Sequence, residues 1–386
     1  MKRSIKDFVL LIHRWLGFIS GLVVFIVGIT GCILAFEQEI KEYTQPWQYV
    51  SQQNKAPLLP SQIKQIAEKH IYGDSAGLKG NTISSLQYCG KNKAAIVFYK
   101  QPKKGMSLLY VDPYNGAIQH QMVLNSDFFR IVLGIHFYLL LPPAIGQPVV
   151  AISILVFVIL LITGIILWWP KKWNRRSFQQ GFTIKSGMRF KRTNYDLHKV
   201  LGFYAFLFAL VFAITGLVWG FEWFERSLYW TTSGGRSLVK MKKPFSDTTL
   251  TIQLLHAEDR LWQQAQQEHD LSAARFQIGF PETKADAYAV NYNPSQETYF
   301  KREIRYFDQY TLKEIAGAAV YNKPYATATA ADKLYRMNYD IHVGAIAGLP
   351  GKIFAFCMSL IISSMPITGF LIWWGRRKKS KRKAVS

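Results

Sequence analysis

The sequence predicts a membrane α-helical fold: four transmembrane helices from a tandem two-span repeat, with two α+β domains on one side of the membrane. Three observations carry this expectation. Four long stretches contain no Asp, Glu, Lys or Arg, the basic residues gather in short blocks beside them, and the first half of the chain recurs in the second.

The uncharged stretches are Trp15–Phe36, Ile131–Trp169, Val200–Phe221 and Ile353–Gly375. A helix needs roughly 20 apolar residues to cross the hydrocarbon, so three of them fit one span each. Ile131–Trp169 is too long, and Pro142-Pro143 and Gly146 interrupt it. The span is therefore predicted at Gln147–Trp169, with Phe128–Leu141 a separate interfacial segment.

The chain is 49% hydrophobic yet carries a formal charge of +23. Spread over a soluble domain, that charge would point to nucleic acid. Here the positive-inside rule accounts for it. Lys2, Arg3, Lys6 and Arg14 precede span one. Lys171, Lys172, Arg175, Arg176, Lys185, Arg189, Lys191, Arg192 and Lys199 separate spans two and three. Arg376, Arg377, Lys378, Lys379, Lys381, Arg382 and Lys383 follow span four. Only Asp7 and Asp196 oppose them. That side is expected to be cytoplasmic, with both termini on it. Trp168-Trp169 and Trp373-Trp374 stand where interfacial aromatic belts belong. Ile29-Thr30-Gly31-Cys32 faintly resembles a lipoprotein cleavage box. The apolar run continues past it and recurs downstream, so no cleavage is expected.

The repeat is direct. His13, Leu16-Gly17-Phe18, Ile29-Thr30-Gly31, Phe36 and Glu37 recur 185 positions later, and ITGIILWWPKKWNRR from Ile162 matches ITGFLIWWGRRKKSK from Ile367. Gly134-Ile135-His136 corresponds to Asp340-Ile341-His342. Outside the spans, Ser61–His70 and Ile252–Glu268 read as helices, and Ala94–Tyr99 and Ala287–Tyr292 as alternating strands. Tyr110–Gly116 reads as a hairpin turn, with Tyr306–Lys313 its weaker counterpart. Tyr229–Lys243 has no counterpart. The organisation expected is 1–36 N-terminus and span one, 37–127 first outer domain, 128–169 interfacial segment and span two, 170–197 basic loop, 198–221 span three, 222–338 second outer domain, 339–375 interfacial segment and span four, and 376–386 basic tail. Parallel repeats are related by an axis along the membrane normal, so repeat mates lie at equal depth and face each other.

That symmetry gives four histidines a meaning. His70, His120, His256 and His269 lie in the outer segments and receive no role. His13 and His198 are mates at one end of spans one and three; His136 and His342 are mates at the other end. Two facing imidazoles are what a six-coordinate haem iron needs. A histidine at a helix end is also an ordinary interfacial polar residue; four in two repeat-related layers favour ligation. Zinc fits less well, since neither layer shows Cys or carboxylate partners. With no C-x-x-C-H, two b-type haems are expected. Arg130 and Arg336, six residues before His136 and His342, are candidate propionate partners, as are Arg14 and Lys199. Arg14 and Lys199 equally fit as plain positive-inside charges. Gly17, Gly21, Gly28 and Gly31 are read as helix packing rather than room for a macrocycle. Asn194-Tyr195-Asp196 and Asn338-Tyr339-Asp340 are read as helix caps that could also orient a ligand ring. For Trp223, Trp230 and Trp262, core packing is favoured over a part in an acceptor site. Cys32 and Cys357 lie within spans, and Cys89 has no partner on its side.

Two haem layers in series would carry electrons across the membrane. No Rossmann glycine fingerprint occurs, and the cytoplasmic segments are too short for a flavin domain. The donor is therefore expected to be a separate cytoplasmic protein or quinol. No charged pairs mark a transport path.

HRWLGF at span one, the I-T-G motifs, D-[LI]-H before spans three and four, the WW-basic ends and the duplicated outer segment resemble the PepSY-associated transmembrane family over nearly the whole chain. The resemblance implies two periplasmic PepSY-like domains and a four-helix bundle in the inner membrane of a Gram-negative bacterium, with two haems on His13, His198, His136 and His342. It also implies an oxidoreductase like the ferric-siderophore reductases of ferrioxamine type, whose periplasmic partner is a ferric siderophore. Two other readings stay open: electron transfer to a different periplasmic acceptor, and a non-redox regulatory module built on the PepSY domains.

Overall fold

The computed structural model describes residues 5–73, 83–101, 104–250 and 254–383, with the side chains of 377–383 left out. Lys2, Arg3 and Ile252, used above, lie outside the described residues, as do the side chains of the basic tail after Arg376.

The first half of the chain runs α1 (Ile5–Ala35), α2 (Glu37–Thr44), α3 (Pro60–Tyr72), β1 (Ile83–Tyr88), β2 (Ala95–Gln101), β3 (Gly105–Val111), β4 (Ile118–Val123), α4 (Phe128–Tyr138), α5 (Pro143–Trp168) and α6 (Arg175–Phe182). The second runs α7 (Phe190–Gly220), α8 (Glu222–Thr232), α9 (Ala257–Glu268), β5 (Arg275–Gly279), β6 (Tyr288–Asn293), β7 (Glu303–Phe307), β8 (Glu314–Ile315), α10 (Ala330–His342) and α11 (Gly348–Lys383). These elements form two compact units. A helical bundle lies within 1–36, 131–228 and 341–386, and a sheet unit within 37–130 and 229–340.

In the bundle, α1, α5, α7 and α11 are long and apolar enough to cross a membrane. Helix α1 packs on α5 and α11, and α7 packs on the same two, so α1 and α7 stand on one diagonal. The α1–α11 contact is close because Gly21 faces Pro366 and Gly28 faces Ser363. The packing reading of those two glycines holds. Span two begins after a break, as its prolines imply: Leu139 and Leu140 both take positive φ (56° and 57°) between α4 and α5. Gly146 makes that turn possible, since a Cβ there would lie 2.0 Å from the Tyr138 carbonyl oxygen.

The helices outrun the uncharged stretches. A 31-residue helix such as α7 is about 46 Å long, well beyond a hydrocarbon core of about 30 Å. This corrects the capping expectation. Asn194 and Asp196 lie inside α7, and Asn338 and Asp340 inside α10. An apolar run reports where lipid begins, not where backbone hydrogen bonding begins.

The two expected outer domains are joined in one sheet of eight antiparallel strands, order β4-β3-β2-β1-β5-β6-β7-β8. Each half has an open edge at its first strand. Those edges pair with each other, Leu86 opposite Ile278 and Gln87 opposite Gln277, which removes two exposed ladders at once. Ile83, Leu86, Val97, Tyr99, Phe276 and Ile278 point to one face and bury against Ile63 and Ala67 of α3 and Leu261 and Trp262 of α9. Ser61 ties the two helices, its backbone N–H and hydroxyl donating to Asp259 at 2.8 and 2.5 Å.

The hairpin turns match in detail. Asp112 accepts from the Tyr114 N–H and Asp308 from the Tyr310 N–H, at 2.8 and 3.0 Å. Gly116 supplies the positive φ in one, and Leu312 takes it (54°) in the other. Trp262 is core, stacked on Tyr88 at 4.0 Å. Trp223 and Trp230 are more than half exposed, so for them the core reading fails: both lie on α8, whose only buried residue is Tyr229.

Candidate functional site

The bundle brings the four histidines together as two facing pairs. The His13 and His198 ring centres lie 6.5 Å apart with planes at 82°. Those of His136 and His342 lie 6.3 Å apart at 75°. His13 and His198 come from near the N-terminal ends of α1 and α7. His136 is in the last turn of the short helix α4, and His342 ends α10.

Each ring is held the same way, by a residue the sequence reading used only to mark the repeat. The Nδ1 atom of His13 lies 2.9 Å from the Thr163 hydroxyl, and that of His136 lies 3.0 Å from Thr30. His198 meets Thr368 and His342 meets Thr215, both at 2.8 Å. The glycine following each threonine leaves room for the ring. A Cβ on Gly164, Gly31 or Gly216 would sit 3.5 Å from Cε1 of His13, His136 or His342, and one on Gly369 only 3.3 Å from that of His198. All four I-T-G motifs therefore carry one histidine contact each. Gly31 belongs to this set, not to helix packing alone. A tripeptide occurring once per span was the available signal.

The exchange is reciprocal within each half. Helix α1 carries His13 and also Thr30, the partner of His136; α7 carries His198 and also Thr215, the partner of His342. Thr30 follows His13 by 17 residues, as Thr215 follows His198, so the two layers are separated by about 25 Å of helix. Val24, Ala209 and Ile362, with Phe157, Leu161 and Phe212 against them, fill the bundle with apolar side chains. The His136–His342 layer has further aromatic walls: Trp219 lies 5.2 Å and Phe212 6.1 Å from the His342 ring.

The spacing suits one metal ion between each pair. A histidine nitrogen sits about 2 Å from a bound first-row ion, with the ring centre roughly 1 Å further back, so two rings trans on one ion have centres about 6 Å apart. Among the described residues no group of three or more His, Cys, Asp or Glu could hold a metal. Two imidazoles alone underfill a zinc site, which takes three or four protein ligands. Haem brings four nitrogens of its own and requires two axial ones, so the residues present fit it.

The cations expected beside the site divide. Arg14 is exposed and stands over Trp15, 5.7 Å from its ring centre. Lys199 is half-buried and Arg130 exposed. Arg336 has other work in the sheet unit, and its assignment as a propionate partner is withdrawn. It is 1% exposed, and it donates to the carbonyls of Phe300 and Lys323 at 2.8 and 3.0 Å and to that of Arg302. Three of its nitrogens are committed to backbone.

Asn194 is buried, and its amide donates to the Thr368 carbonyl at 3.0 Å, steadying the turn that holds His198. Buried Asp196 pairs with Arg192 at 3.0 Å.

The chain matches the family model of the PepSY-associated TM region over residues 10–376 and belongs to that family. It is a multi-pass membrane protein. No curated protein matches it.

Proposed function

We propose that this member of the PepSY-associated transmembrane family is a haem-dependent oxidoreductase of a bacterial inner membrane, passing electrons from the cytoplasmic side or the quinol pool to ferric siderophores in the periplasm. The observation that supports it best is the pair of histidine couples, whose ring separations would let both imidazoles of a couple hold one ion. His13 and His198 would hold one b-type haem, near the basic cytoplasmic face, and His136 and His342 the second, toward the periplasm. A bound haem supplies a one-electron carrier whose potential the protein tunes through ligands, hydrogen bonds and burial.

The remaining work belongs to the chain. Arg14 and Lys199, each next in sequence to a histidine of the first couple, and Arg130, on the helix of His136, would meet the propionates. The apolar filling between the layers keeps water and ions from crossing with the electron. The sheet unit, read as the periplasmic part, would receive the acceptor. One electron converts the bound ferric ion to ferrous, which the oxygen donors of a siderophore hold less tightly because it is the softer ion.

The deciding experiment is haem content by pyridine haemochrome, with reduced-minus-oxidised spectra, on detergent-purified protein. About two b-type haems per chain are expected, followed by reduction of ferric siderophores in proteoliposomes loaded with a quinol. Absence of haem after expression with adequate haem supply would overturn the redox reading in favour of a regulatory PepSY module. Haem without siderophore reduction would redirect it to another acceptor.

A further inference from the structure

We infer that Thr30, Thr163, Thr215 and Thr368 are positioning residues that lock all four histidines in the Nδ1–H tautomer and so set the electron richness of each ligand, one layer at a time. The inference rests on the haem reading for its consequence, but its premise is the hydrogen bonding of the chain itself.

A threonine hydroxyl has one proton to give. Each of these hydroxyls lies against two carbonyls of its own helix. Thr30 reaches Ile26 and Val27 at 2.8 and 3.0 Å, and Thr163 reaches Ile159 and Leu160 at 2.9 and 3.1 Å. Thr215 reaches Val211 and Phe212 at 2.7 and 3.1 Å, and Thr368 reaches Ser364 and Met365 at 3.0 and 3.1 Å. The proton goes to one of those carbonyls, and the oxygen turns a lone pair to the imidazole. With the hydroxyl proton spent on its own helix, the ring is the donor in each threonine contact. Nδ1 therefore carries the proton at all four positions, and the Nε2 lone pair is left for the space between the rings.

An imidazole that donates from Nδ1 is a stronger electron donor through Nε2, which favours ferric over ferrous iron and lowers the midpoint potential. Because the partners are crossed, each threonine acts on one layer. Thr163 and Thr368 serve His13 and His198; Thr30 and Thr215 serve His136 and His342.

The test compares Thr163→Val, Thr30→Val and the conservative Thr163→Ser and Thr30→Ser in the full-length chain. Valine keeps the volume and removes the acceptor. Thr163→Val should raise the midpoint potential of one of the two haem components and weaken retention of that haem about 10- to 100-fold against a haem scavenger. Thr30→Val should do the same to the other component, and both serine variants should restore wild-type behaviour. Equal shifts of both components, or no shift with valine, would overturn the assignment. In haem-free protein labelled with ¹⁵N-histidine, with the signals assigned by single histidine substitutions, His13, His136, His198 and His342 are expected as Nδ1–H rings among the eight histidines. Protonation of any of those four at Nε2 would defeat the inference even if two haems bind. Wild-type protein without haem but with Nδ1–H rings would sink the proposed function while leaving the hydrogen-bond assignment standing.

Discussion

In the bundle unit one tripeptide occurs in all four spans and makes the same contact each time, threonine to Nδ1 and glycine to Cε1 of a histidine. In the sheet unit the two halves also take equivalent places, three strands on each side of the central β1–β5 pair. Yet β2 reads AIVFYKQ where β6 reads YAVNYN, and a turn glycine in one half is a leucine in the other. The difference lies in what each region must deliver. Under the proposed function a ligand nitrogen has to be placed to within a few tenths of an ångström, and few side chains do that. A strand has to bury alternate residues, and many sequences satisfy that.

The largest effects should follow from breaking the bundle side of this comparison. His342→Ala or His136→Ala should remove one haem of two, and His13→Ala or His198→Ala the other, read as haem per chain. Equal loss of both haems from either substitution would merge the layers into one site. Gly369→Leu should follow closely. Its side chain must occupy the space of the His198 ring, so retention of that haem should fall by at least about tenfold.

The sheet unit should respond through stability instead. Arg336→Met strands three backbone carbonyls in a buried site, at a cost on the order of 3 kcal/mol, visible as a lowered melting temperature. Lysine should not rescue it, because one ammonium lacks the fork that serves three separate carbonyls. Ile278, fully buried in β5, should cost about 3 kcal/mol as alanine but only about 1 kcal/mol as valine. That tolerance is the contrast to Thr163→Val, where an equally modest change in shape removes a needed acceptor.

The smallest effect is a pH dependence. Burial pushes the Asp308 carboxyl up, but the N–H donors of Asp247, Thr311 and Tyr310 and the Thr311 hydroxyl outweigh it and hold the group below the usual carboxylate range. Stability from this turn is then present above the unfolded-state value and lost as pH falls through the lower folded one. Asp308→Asn should flatten the acid limb of a melting-temperature profile. An unchanged limb would mean the turn does not hold the carboxylate in solution.

Much of the bundle was legible in the residues. Charge-free runs bounded by Lys and Arg mark the spans, and the 185-residue recurrence pairs His13 with His198 and, through the second match, His136 with His342. Equal depth follows from the repeat. The threonines were visible as a motif, but not their partners. A 17-residue interval along α1 says nothing of which ring on another helix it meets.

By itself the sequence determined the number of spans, the break before span two, the paired histidines and the alternation of the strands. All of these are local patterns, set by transfer of side chains out of water and by backbone geometry over a few residues. Only the tertiary structure decided that the outer segments share one sheet, that Arg336 is spent on carbonyls of Phe300, Lys323 and Arg302, that Asn194 steadies Thr368 from inside a helix, and which nitrogen of each ring is engaged. Those outcomes depend on which donors and acceptors from distant parts of the chain meet once the helices and strands have packed, and hydrogen bonding is directional at a range that no spacing along the sequence encodes.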